Sequence, residues 1–174
     1  DAESKVPEPS YGLPELASEA WIKELNSKKR AKVMTPSVAR KMQKVLEALD
    51  EAGILEQEKA LLKKEKKDKE AEAKDKEIAK AVANGQRELD DLKPRLASLK
   101  SYDRSMYYYY QSYYNLAYQD KISDAITNYI NVVNEEDTTE KLRVEAYYVL
   151  AQLYLSESNY KSGVDYLLRW FKNT

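Results

Sequence analysis

Residues 147–170 read YYVLAQLYLSESNYKSGVDYLLRW, and this stretch decides the fold. Tyr147, Leu150, Ala151 and Tyr154 recur at steps of three and four, the spacing of one helical face. A polar break at Ser156-Glu157-Ser158-Asn159 follows, in which Ser158 or Asn159 can cap a new helix. The second helix carries Tyr160, Gly163, Leu167 and Trp170. Two amphipathic helices joined by so short a link pack side by side. Ala151 and Gly163 are small where the pair must approach most closely.

Working outward, the first of these helices is expected from Glu140 to Ser156, with Thr138 or Thr139 as its cap and Leu142, Ala146, Val149, Leu150, Leu153 and Tyr154 inward. The second is expected to run to Lys172 and to bury Tyr160, Val164, Leu167, Leu168 and Phe171. An earlier pair spans 102–118 and 122–134. Its first helix shows an apolar stripe of Met106, Tyr109, Tyr110, Tyr113, Leu116 and Ala117. Its second shows Ile122, Ala125, Ile126, Tyr129 and Val133. Ala125 precedes Gly163 by 38 positions, which makes the two pairs offset copies, although Tyr113 then stands where a small residue is usual.

The offsets from Tyr147 to Trp170 resemble the tetratricopeptide pattern, more clearly than do those of the earlier pair. The fold expected is therefore all-α: an antiparallel helix-hairpin, tetratricopeptide-like superhelical array, covering residues 86–174. In such arrays the first helix of each pair lines a groove. The groove positions carry over as Tyr107, Tyr110, Tyr114 and Tyr118 from the earlier pair, and Glu145, Tyr148, Gln152 and Leu155 from the later one. All but one of the fifteen tyrosines lie between Tyr102 and Tyr166. Phenol rings offer contact area with a hydroxyl at the rim, which suits a peptide guest, although many tyrosines on one helix must also serve as packing.

The N-terminal half is read in three parts. Residues 1–35 form an extended leader with Pro7, Pro9 and Pro14, and a short helix from Glu15 to Asn26 with Leu16, Ala20 and Trp21 on one side. Residues 36–55 form a first repeat helix opened by Thr35-Pro36, with Val38, Met42, Val45 and Leu49 on one face and Gly53 as its stop. Residues 56–85 form a long charged helical insertion: 17 of residues 56–80 are charged, with Glu65/Lys69, Glu70/Lys74 and Glu72/Lys76 spaced for pairing along one helix. Asn84-Gly85 is a break signal, and Pro94 should kink or restart the helix that follows.

Composition excludes several function classes. The 29 basic and 30 acidic residues leave no basic field for nucleic acid. With no His and no Cys, the commonest general base, the commonest transition-metal ligand and all thiolate chemistry are missing. Four glycines, at 12, 53, 85 and 163, make no phosphate loop. The acid pairs Asp90-Asp91 and Glu135-Glu136 are adjacent residues that point apart on a helix, without a ligand loop around them. No apolar run is long enough to span a bilayer. The expectation is a non-catalytic chain with no cofactor, a protein or peptide partner, no nucleic acid, no transmembrane segment and room for homo-oligomers.

Three stretches resemble the tetratricopeptide component encoded beside TonB energy-transduction systems of Gram-negative bacteria. They are Val33 to Lys44, Leu99 to Met106, and Tyr148 to Tyr154 with Tyr160-Lys161 and Leu168-Arg169-Trp170-Phe171. The charged stretch 56–83 departs from that family's pattern. The resemblance implies an exported, periplasmic adaptor that helps couple proton-driven inner-membrane machinery to outer-membrane uptake. Two other roles fit a binding array of this kind: a coordinator of envelope assembly or cell-wall synthesis, and a structural oligomeriser acting through the charged helix.

Overall fold

The computed structural model describes residues 32–174; the expected helix at 15–26 and the basic run Lys28-Lys29-Arg30 lie outside them. The described chain is all-helical. Helix α1 spans Pro36–Lys64 and α2 Asp68–Leu92, followed by a 3-10 segment, Lys93–Ser98. Helices α3 (Ser101–Ala117) and α4 (Ile122–Asn134) make a second hairpin, and α5 (Glu140–Ser156) with α6 (Tyr160–Lys172) a third. Each hairpin packs on the next in chain order, α3 against the first and α5 against α4.

Pro36 opens α1 as expected, at a position where the missing amide donor costs nothing. Gly53 does not end the helix. It is one helical residue in 29, with open space where a Cβ would stand, and α1 continues to Lys64. Nor is Asn84-Gly85 a break, since both residues lie inside α2. The charged stretch is thus the distal half of a long hairpin. Its charges pair mainly between the two helices: Lys74 with Glu58 at 2.9 Å, Lys59 with Asp75, and, nearer the base, Lys41 with Glu88 and Asp91. Pro94 does restart the chain, as a 3-10 turn.

All three hairpins close on the same device. Lys66, Asp120 and Ser158 adopt φ values of 61°, 52° and 60°, and each stands two residues before its second helix begins. A left-handed residue there lets the next amide reach back to an otherwise unbonded helix-end carbonyl. Lys67 bonds Leu62 O and Asn159 bonds Tyr154 O, both five residues back. Lys121 bonds Asn115 O, six residues back. The second turn therefore holds one extra residue. Five positions after each left-handed residue come Ala71, Ala125 and Gly163, all buried, so the small position of the second helix recurs in every hairpin.

Two apolar cores result. The first gathers Val38, Met42, Val45, Leu89 and Leu92 with Tyr107 and Tyr114. The second joins Ala125, Tyr129, Val132 and Val133 to Ala146, Tyr147, Leu150 and Leu153. Polar ties hold the helix starts together. Asp103, 1 % exposed, accepts from the Thr35 amide at 3.0 Å and from its hydroxyl at 2.6 Å. Arg104 forks onto Glu135 at 2.8 and 3.1 Å, and Lys32 reaches Asp137 at 3.0 Å. Thr139 caps α5 through the Leu142 amide, and Asn159 caps α6 through that of Ser162. Arg143 covers the end of α4 by donating to Val133 O and Thr138 O, which offsets the partial negative charge there.

Candidate interaction face

The extra residue in the second turn decides which side of α3 is open. One residue is 100° of helical rotation. Counting back 38 positions from Glu145, Tyr148 and Gln152 gives Tyr107, Tyr110 and Tyr114, three of the expected groove residues. Counting back 39, as the longer turn requires, gives Met106, Tyr109 and Tyr113, and from Leu155 gives Leu116. Burial follows the second count. Tyr113 is 42 % and Leu116 38 % exposed, whereas Tyr107 is 4 % exposed and Tyr114 fully buried.

The four tyrosines expected to wall a groove instead form the seam with the first hairpin. Tyr114 lies in a notch on α2: a Cβ on Gly85 would stand 1.9 Å from its hydroxyl oxygen, which donates to Val45 O at 3.2 Å. Gly85 is therefore needed as the floor of a ring site. Tyr110 and Tyr118 are half-buried against the same core. The stripe assigned inward by hydrophobicity, Met106 to Ala117, is turned outward at Tyr113, Leu116 and Ala117.

What α3 buries is largely polar: Asp103, Ser105, Gln111, Ser112 and Asn115. Each finds a partner, so burial is tolerated. Ser105 and Ser112 donate back to Tyr102 O and Tyr108 O. The amides of Gln111, Gln86, Gln119, Asn115 and Asn128 bond in one continuous chain at 2.7–3.1 Å. They line a polar cleft of about 410 Å³ between α2, α3 and α4, together with Asp90, Lys93, Lys121 and Asp124. Because these amides satisfy one another, the cleft is explained as a hydrogen-bonded joint between hairpins.

On the open side, Tyr109 of α3 donates to Glu145 of α5 at 3.1 Å, which places both on one face. Tyr129 of α4 stands close to the same carboxylate, and Tyr113 stands close to Tyr129. Burial, reinforced by the Glu145 charge, pushes the Tyr129 phenol up to about 12, and the same two causes raise Tyr109. Both phenols stay protonated at neutral pH, and Tyr109 is the one that donates to the carboxylate. Gln152 is exposed two helical turns further along α5. Tyr148 and Leu155, also exposed, lie at the far edge of α5: the Tyr148 ring is 5.0 Å from that of Trp170, and Leu155 covers Gly163.

The eight expected positions thus separate into three places: the seam with the first hairpin (Tyr107, Tyr110, Tyr114, Tyr118), the open face (Glu145, Gln152) and the edge toward α6 (Tyr148, Leu155). Tyr109, Tyr113 and Tyr129 were missed. The signal that could have found them is the pair Ser105 and Ser112, small residues two turns apart that mark the close side of α3 as Ala151 marks that of α5. Among the described residues no cluster of carboxylates could hold a metal ion, and no helix is long and apolar enough to cross a membrane. Compared with known protein families, curated proteins and solved structures, the chain matches none.

Proposed function

We propose that the chain is a non-catalytic protein–protein adaptor whose three hairpins form a tetratricopeptide-like array, and that it takes an extended protein segment on the open face of α3 and α5. The observation that carries this reading is the joined set Tyr109, Tyr113, Glu145 and Gln152: two phenols, a carboxylate and an amide that reach solvent from two adjacent helices linked by a hydrogen bond. Such groups supply flat contact area and hydrogen bonds to a peptide backbone without needing a deep pocket. What supports placing the adaptor in the periplasm, as an accessory of a TonB-type transport system, is the resemblance of the Val33, Leu99 and Tyr148 segments. Two of those segments meet in the fold at the Thr35–Asp103 bonds, so they act there as one structural joint. The alternative of an oligomeriser acting through the charged stretch draws less support, because those charges pair across their own hairpin.

Titration of the full chain with the Pro-rich periplasmic segment of TonB tests the reading. Binding is expected, and Tyr113→Ala with Gln152→Ala should weaken it about tenfold or more, the size of effect a central contact pair carries, with helical circular dichroism unchanged. Binding that ignores the double substitution removes the face. A wild-type chain that does not bind removes the TonB assignment.

A further inference from the structure

The third hairpin ends in a groove that no described helix fills. On α6, Tyr160, Val164, Leu168 and Phe171 are 64, 47, 53 and 62 % exposed. At 100° per residue they fall within an arc of about 80°, a single apolar stripe on one flank of the helix. Leu167 and Trp170, half-buried, border the stripe on the side toward α5. Across from it stand the exposed edges of Leu155 and Tyr148, which touch α6 at Gly163 and Trp170. The corresponding flank of each earlier hairpin is covered by the helix that follows: α3 packs on α1 and α2, and α5 packs on α4 and meets α3 at Tyr109.

The geometry points to residues 15–26 of this same chain as the segment that covers the α5–α6 groove. Three observations select this occupant. First is the direction of the chain. Thr35, just before α1, is held on Asp103 in the first turn of α3, and Lys32 is held on Asp137 in the link that opens α5. From Thr35 back to Lys32 the chain runs from the start of α3 to within a lysine side chain's reach of the link that opens α5. Residues 27–31 can span up to about 17 Å from there, more than the ~8–10 Å between packed helix axes. Second is the fit. Leu16, Ala17, Ala20 and Trp21 follow the i, i+1, i+4, i+5 spacing of one helical face. Twelve helical residues are about 18 Å long, and the stripe from Tyr160 to Phe171 runs about 17 Å. Third is charge. Residues 15–26 carry Glu15, Glu19 and Glu24 against Lys23, while α6 carries Lys161, Arg169 and Lys172 against Asp165. A net acidic segment meets a net basic helix, and residues 15–26 cap the third hairpin.

The test uses residues 1–174, which contain no cysteine. Ala20→Cys is combined with Val164→Cys and oxidised in dilute solution; the control pairs Ala20→Cys with Lys66→Cys at the tip of the first hairpin. An intramolecular disulfide is expected in the first pair and not in the control. A crosslinked dimer instead means that a second copy fills the groove, and overturns the proposal; so does equal crosslinking of both pairs, or none. A second measurement does not depend on cysteine geometry. Trp170→Phe leaves Trp21 as the sole tryptophan. Its emission should be blue-shifted relative to the urea-unfolded chain, and Leu168→Asp should return it to the unfolded position. Emission already at that position, or unmoved by Leu168→Asp, overturns the proposal.

Discussion

The second and third hairpins are built on the same left-handed turn residue, Asp120 in one and Ser158 in the other, yet they treat side-chain polarity in opposite ways. The second buries Asp103, Ser105, Gln111, Ser112 and Asn115 and turns Tyr113 and Leu116 to solvent. The third buries Ala151 and Gly163 at its closest approach and leaves Val164, Leu168 and Phe171 exposed on α6, although periodicity placed all three inside. The α3 face lies between two other hairpins, so its polar groups find partners on α2 and α4. The α6 flank has no described neighbour, so its apolar groups find none. Position in the stack, more than hydrophobicity, sets which face is inside.

The largest expected effect comes from within α3 itself. Tyr114→Ala empties the ring site over Gly85 and should cost about 3–5 kcal/mol in urea unfolding, as large-to-small core changes do. Tyr113→Ala, one position away, should stay within about 0.5 kcal/mol. Equal costs for the two would mean that the register given to α3 by its longer turn is wrong.

A smaller effect separates the two glycines. Gly85→Ala drives a methyl into the Tyr114 hydroxyl, and that ring is fully buried and cannot swing away; a cost of about 1–3 kcal/mol is expected. Gly163→Ala meets the end of the Leu155 side chain at 2.7 Å, but Leu155 is 36 % exposed and can turn outward. Its helix-propensity gain of up to about 1 kcal/mol should offset most of the strain. Thermal unfolding that shows Gly163→Ala as the more damaging change would reverse the comparison.

The smallest effect tests the polar joint. Gln111→Leu removes its two bonds with Gln86, which keeps Gln119 and Asp90 as partners, and should cost about 0.5–1.5 kcal/mol. In a double-mutant cycle with Gln86→Leu, the pair should show a coupling of about 0.5–1.5 kcal/mol. Strict additivity would show that the two amides do not act as a pair.

Local interactions were legible in the sequence. Helix periods at 102–118, 122–134, 140–156 and 160–172, the proline at the start of α1 and the caps at Thr139 and Asn159 depend on neighbours a few residues away, and they stand where the residues place them. So does the small position shared by Ala125 and Gly163. Local reading failed where glycine was taken as punctuation. Gly53 and Gly85 are helical, while the first hairpin turns at Lys66, inside a charged run that gives no break signal.

The face of each helix that is buried was settled only by tertiary packing. One additional residue between Ala117 and Ile122 rotates α3 by 100° relative to its counterpart α5. That rotation moves Tyr107 and Tyr114 into the core and Tyr109 and Tyr113 to the open side. Periodicity fixes that a helix has two faces. Which one is covered depends on helices far away in sequence, because a buried polar group is stable wherever a distant partner completes its hydrogen bonds.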